Sequence, residues 1–287
     1  MQVRECAHLG APRAPFLARG DYEGVDAAGR AAVVRWDSDD EDTADEQIRA
    51  AQRAGVKLLL FVNDLDVVRP RINDAVAPPV RTGDEIDVTL PSWGDSGGNH
   101  ANWTPFGSGG TTQETRLCRD RTLVAEGGSA LTATVPSPKE TYRLVHEATR
   151  TATAAFPCST ATRTEWTFTS ARPRTVQDSE QLPLVQLDYT LPTSDDGKAA
   201  ADAPLLVPPA HLTGGPDSAP RVAKVEVSYD DGATWTTARL QDRGHGTAGV
   251  ALHAPASAQY LTLRVQAGDG RGNTVTQTVV HAVGITG

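Results

Sequence analysis

Two strings in this chain hold the residue types of nucleophilic catalysis. Gly94-Asp95-Ser96-Gly97-Gly98 sets a serine between an acid and glycines, a setting that can hold a hydroxyl exposed on a tight turn for attack on an acyl carbon. Such a serine works only with a histidine that takes its proton, a carboxylate that orients the histidine, and N–H donors for the oxyanion. The only histidine upstream of Ser96 is His8, so the string reads as a glycine-rich loop. Gly244-His245-Gly246-Thr247 frames a histidine in the same way, but the short stretch after it reads as strands, and no Gly-Thr-Ser segment occurs anywhere. It reads as a hairpin loop, and the sequence nominates no catalytic residue.

Other constellations are structural or ligand-binding. Ser228-Tyr229-Asp230-Asp231-Gly232-Ala233-Thr234-Trp235 follows the pattern S-x-D-x-G-x-T-W. In it the aspartate accepts turn N–H groups, the glycine supplies a positive φ, and the tryptophan packs over the hairpin. The pattern resembles the Asp-box of sialidase propellers, which repeat it blade after blade; this chain holds one copy, which argues against that activity. Trp93 and Trp103 flank the glycine-rich loop and could stack a sugar or a peptide; the other reading places them in a core. The acidic runs Asp39-Asp40-Glu41-Asp42 and Asp195-Asp196 offer hard oxygen ligands suited to calcium, without the D-x-D-x-D-G spacing of a built calcium loop. Calcium is thus the one cofactor left open, beside the reading of a solvated acidic loop. The seven histidines show no H-x-H or H-x₃-H spacing, and Cys6, Cys118 and Cys158 contain no C-x-x-C pair, so neither a catalytic metal nor a structural zinc is expected.

A formal net charge of −9, with no Lys/Arg run, argues against a nucleic-acid partner. The longest apolar stretch, Val56 to Val62, is broken by Lys57 and is far short of the ~20 residues that cross a bilayer, so no membrane partner is expected. The N-terminus carries Arg4 and Glu5 followed by Gly and Pro where a signal peptide would be apolar, so export would rely on something upstream.

The elements that must position these residues are mostly strands. Ala31–Trp36 reads as a buried strand; Thr43 and Glu46 have capping-box spacing for a helix over Ala44–Ala54, which Gly55 would end; Val56 to Val62 reads as a second, parallel strand. Further on, alternation puts Tyr142, Leu144, His146 and Ala148 on one face, as it does Thr164, Trp166 and Phe168. Val225, Val227 and Tyr229, then Leu261, Leu263 and Val265, repeat the pattern, with turn signals at Asp231-Gly232 and Gly270–Asn273. Between these β-regions, Pro192 to Pro220 is rich in proline and alanine and reads as a linker.

GRAAVVRW, a helix and then RAAGVKLLLFVND together resemble the protease-associated (PA) domain, with Ala77-Pro78-Pro79-Val80 loosely echoing its closing strand. YRLVHEATR, CSTATRTEWTFTSA, SYDDGATW and DGRGNTVTQTVVHAVG follow in that order and are similar to the C-terminal accessory region of large secreted bacterial subtilisin-like serine proteases. The resemblance implies a mainly β chain with one small α+β unit: a PA-like domain over 1–83, a β-sandwich over 84–172, an extended linker over 173–219 and a small Ig/fibronectin-III-like sandwich over 220–287. It also implies an extracellular setting and a non-catalytic role in substrate or protein interaction or in stability. The partner would be a protease catalytic domain upstream, or a protein or peptide substrate. The alternative is an independent carbohydrate- or surface-binding module using Trp93 and Trp103. In an extracellular setting Cys118 and Cys158, in one β-region, could form a disulfide and leave Cys6 odd; two buried thiols are the other reading.

Overall fold

The apolar runs near the N-terminus pair where their pattern places them. The computed structural model describes residues 2–7, 16–17, 28–29, 31–36, 44–63, 70–71, 77–94, 101–102, 111–153, 157–175, 177–194, 197–212 and 215–286. The described chain is mainly β and divides into two units, Met1–Leu65 and Asp66–Gly287.

In the first unit, β1 (Gln2–Ala7), β2 (Phe16–Leu17), β3 (Ala31–Trp36), helix α1 (Ala44–Arg53) and β4 (Leu58–Asn63) follow in order. The sheet order is β2-β1-β3-β4, with β1 antiparallel to β3 and β3 parallel to β4. The expected strand–helix–strand unit is therefore present. The end of α1 has a local cause. Gly55 adopts φ +73°, its N–H donates to Gln52 O at 3.1 Å, and the Val56 N–H donates to Ala51 O at 3.0 Å, the paired closure of a Schellman motif. Thr43 lies outside the described residues.

The larger unit opens with β5 (Val80–Thr82), β6 (Glu85–Thr89), β7 (Trp93–Gly94) and β8 (Ala101–Asn102). The long strands β9 (Thr111–Arg119), β10 (Thr122–Gly127), β11 (Ala130–Thr134), β12 (Glu140–Arg150) and β13 (Ala161–Ser170) follow. Short strands come next: β14 (Ser179–Gln181), β15 (Val185–Leu187), β16 (Lys198–Ala199), β17 (Pro204–Val207) and β18 (Pro209–His211). The chain finishes with β19 (Arg221–Ser228), β20 (Thr236–Thr237), β21 (Gln241–Asp242), β22 (Ala248–Ala251), β23 (Tyr260–Gly268) and β24 (Thr274–Ile285).

A nine-stranded sheet, ordered β10-β9-β12-β13-β24-β23-β19-β20 with β16 alongside β24, dominates this unit. One buried cluster joins that sheet, through Leu144, Trp166, Val225 and Leu263, to residues of the smaller sheets such as Ile86, Leu131, Leu205 and Val250, giving a sandwich-like arrangement. The outer side of the sheet carries a charge ladder, Arg116–Glu147–Arg163–Glu165–Arg143, whose half-exposed members each add a fraction of a kcal/mol at most.

This arrangement corrects three boundaries read from the sequence. First, β13 and β24 pair antiparallel from Ala161↔Val280 to Thr167↔Thr274, so 84–172 and 220–287 share one sheet and one core instead of forming two sandwiches. Second, 173–219 is not a linker: Leu182, Leu184, Leu187, Tyr189, Leu205 and Val207 are buried in the common core. Its prolines, such as Pro204 and Pro209, sit at the first positions of very short strands, where a missing N–H costs little. Third, Val80 belongs to the β5–β6 hairpin of the larger unit, not to a closing strand of the first.

The Asp-box and the Gly244–Thr247 string both form tight turns. In the Asp-box, Asp230 Oδ1 accepts the Thr234 N–H at 2.8 Å and Oδ2 accepts the Thr234 hydroxyl at 2.6 Å. The Thr234 and Ser228 hydrogen bonds hold the Asp230 carboxyl down to about 2. Gly232 adopts φ +90° beneath Trp235, and the Arg264 guanidinium lies 4.1 Å from the centre of that ring. Gly244-His245-Gly246 links the paired strands β21 and β22, all three residues having positive φ. A Cβ on Gly246 would stand 2.0 Å from the Pro220 carbonyl oxygen, whereas one on Gly244 meets nothing within 4 Å. Gly246→Ala is therefore expected to cost about 2 kcal/mol or more in urea denaturation, and Gly244→Ala only about 1 kcal/mol. Equal losses in the two variants would refute this account of the loop.

Candidate functional site

Of the stacking and disulfide candidates singled out by sequence, the structure describes Trp93, Cys118 and Cys158. Ser96, Trp103 and both acidic runs lie outside the described residues. Trp93 is buried at 5% exposure, with the Arg150 guanidinium 4.5 Å over its ring, so it is not a stacking platform. Cys118 and Cys158 are both free thiols. In the β9–β12 pair Cys118 lies opposite Arg143 while Thr111 lies opposite Arg150, and Arg150 donates to the Cys158 carbonyl at 2.6 Å. The two cysteines thus sit toward opposite ends of that pair, on the order of 20 Å apart by strand rise, beyond the reach of a disulfide.

The structure does bring serines to histidines, at places the sequence did not reveal. On β12, His146 is wholly buried, with Nδ1 2.8 Å from Thr115 Oγ1 and Nε2 3.1 Å from Ser92 Oγ. Thr115 donates its own proton to Gly128 O at 2.5 Å, so it accepts from the His146 Nδ1–H. Ser92 donates to Gln113 Oε1 at 2.7 Å. Burial, only partly opposed by Glu147, lowers the His146 pKa to about 4.

A second cluster joins His211 at the end of β18, Ser218, and Asp269 in the β23–β24 turn. Ser218 donates to Asp269 Oδ2 at 2.8 Å, and His211 Nε2 lies 3.2 Å from the same oxygen and 3.1 Å from Ser218 Oγ. His211 Nδ1 faces the Leu184 carbonyl at 3.2 Å; a carbonyl only accepts, so Nδ1 is the donor there. Burial would raise the Asp269 pKa, but hydrogen bonds from the Asn273 side chain, Ser218 and the Asn273 and Arg271 N–H groups hold it down to about 2. Ser, His and Asp meet here in the wrong order for acyl transfer, which needs the carboxylate at one ring nitrogen and the serine at the other. Here both share Nε2, and Nδ1 is occupied by the backbone.

His211 and Ser218 flank Gly215 and Pro216, and the Ser218 hydrogen bond to Asp269, with His211 packed against both, holds that segment beside the β23–β24 turn. The segment forms one wall of a polar cleft of about 540 Å³, whose other walls are β14, Thr169–Ala171 at the end of β13, and the turns carrying Lys139, Arg271 and Asn273. Asn273 braces the site by donating to Asp269 Oδ2 at 2.8 Å and accepting the Thr169 N–H at 3.4 Å. Sequence reasoning missed this trio because Asp269 lies 58 positions from His211 and 51 from Ser218. The only trace was the turn signal at 270–273.

Among the described residues, no group of three or more His, Cys, Asp or Glu side chains converges to hold a metal ion, and no helix is long and apolar enough to cross a membrane. No protein-family model matches the chain, and no curated protein matches it.

Proposed function

We propose that this chain is a non-catalytic β-rich accessory module that serves protein or substrate interaction, in the setting its motifs resemble, that of a secreted subtilisin-like serine protease. The observation that carries the reading is where the serine protons go. Ser218 donates to a carboxylate and Ser92 to an amide oxygen, while the histidines beside them are fully buried or turned to a backbone carbonyl. Neither histidine has a carboxylate at the ring nitrogen turned away from the serine, since His146 Nδ1 faces Thr115 and His211 Nδ1 faces a backbone carbonyl, so no acid–base–nucleophile relay is assembled. The clamped polar cleft supplies a surface on which an interaction partner can sit. The alternative of a carbohydrate-binding module is weakened by the covered ring of Trp93.

The purified chain is expected to leave protein substrates intact and to take up no fluorophosphonate probe. Labelling that disappears in Ser92→Ala, Ser96→Ala or Ser218→Ala would overturn the proposal.

A further inference from the structure

We propose that β14 and the cleft beside it receive an extended acidic peptide as an added strand, an inference that rests on the interaction role proposed above. Strand β14 ends the four-stranded sheet β11-β6-β5-β14, so one of its edges lacks a neighbour in that sheet. Glu180 stands opposite Arg81, and the Leu182 N–H donates to Pro79 O at 2.8 Å, so Glu180 and Leu182 direct their backbone groups at β5. Alternation along an antiparallel ladder then turns the N–H and C=O of Ser179 and Gln181 outward. Among the described residues no backbone group pairs with them, and both residues line the cleft. An extended chain laid there finds donors and acceptors at strand spacing, the geometry of β-augmentation.

Two further observations specify the occupant. The side-chain nitrogen Nε2 of Gln181 is shielded from solvent yet has no hydrogen-bond partner, a donor that a ligand carbonyl or carboxylate would satisfy. It lies on the Gly215 side of the cleft, 3.7 Å from where a Cβ on that residue would stand, a point that Leu212 O already approaches to 2.8 Å. Charge points the same way. The chain as a whole is at −9, but the charged side chains lining the cleft are Lys139 and Arg271 against the single acid Glu180. A peptide with carboxylates on one face complements that local excess, and electrostatics chooses among partners that backbone pairing alone would accept equally.

The test uses the full chain and three fluorescein-labelled, capped hexapeptides followed by fluorescence anisotropy: alternating Val-Glu, alternating Val-Lys, and Val-Glu N-methylated at every second residue. The Val-Glu peptide is expected to bind saturably, with the Val-Lys and N-methylated peptides at least tenfold weaker. The K139E/R271E variant should lose at least tenfold for Val-Glu and gain for Val-Lys, and Gln181→Leu should weaken Val-Glu. On binding, hydrogen exchange should slow at the Ser179 and Gln181 amides. No saturable binding of Val-Glu, equal binding of Val-Lys, indifference to N-methylation, or protection confined to another strand would each overturn the inference. The wild-type peptide comparisons decide the matter even if a variant fails to fold. Fluorophosphonate labelling reports separately on the non-catalytic reading, so failure of one is distinguishable from failure of the other.

Discussion

Trp166→Ala is expected to remove about 3–5 kcal/mol of stability from the larger unit and to loosen both of its halves together. Trp166 is 3% exposed on β13, between Leu144 of β12 and Val275 of β24, and its indole N–H donates to the Val185 carbonyl at 2.8 Å. The substitution thus empties a large site at the centre of the sheet and leaves a carbonyl of the 173–219 segment without its donor. In urea titrations followed by hydrogen exchange, peptides covering β12 and β23 should lose protection at one shared midpoint, and that midpoint should fall by the same amount for both. A midpoint for β23 that stays at its wild-type value would mean that 220–287 is a separate domain after all.

Acidification should act most strongly through His146. Its folded pKa, about 4, lies below the ordinary 6.5 because burial disfavours the imidazolium. A histidine with a lowered folded pKa binds its proton more readily in the unfolded chain. Its contribution is therefore complete above pH 6.5, is lost as pH falls from 6.5 to about 4, and changes no further below that. The width of that window corresponds to about 3 kcal/mol. In His146→Gln the side chain cannot titrate. The stability difference between pH 7 and pH 4, from chemical denaturation, should accordingly be about 3 kcal/mol smaller in the variant than in the wild type. Parallel pH curves for the two proteins would show that His146 does not carry the effect.

The legible part of the fold was local. Alternation placed Tyr142, Leu144, His146, Ala148, Trp166 and Phe168 correctly, because a strand with one buried face writes that face into every second residue. The end of α1 at Gly55 and the Asp-box turn were legible because each is a short-range conformational requirement. Partner choice was not legible. Nothing local to Ala161–Ser170 says that it pairs with Thr274–Ile285, and that omission produced two sandwiches where there is one sheet. Composition misled at 192–220, whose proline and alanine content made 173–219 read as a linker although Leu182, Leu184, Leu187, Tyr189, Leu205 and Val207 bury it. Trp93 was left with two readings, core or stacking platform, and what decides for the core is its cover by Arg150, from a strand far along the chain. The Asp269 clamp belongs with these, since its members become neighbours only after the hairpin has folded against β18.

The seam between β13 and β24 also bears on how the molecule can be divided. A fragment ending at residue 219 would carry β13 with its hydrogen-bonding edge bare, and a fragment starting at 220 would carry β24 in the same condition. Each edge is the template for the other. Two such pieces made in one cell would rejoin through that edge, whereas either made alone would seek a copy of itself, so the seam is a natural place to split the chain into a reconstituting pair.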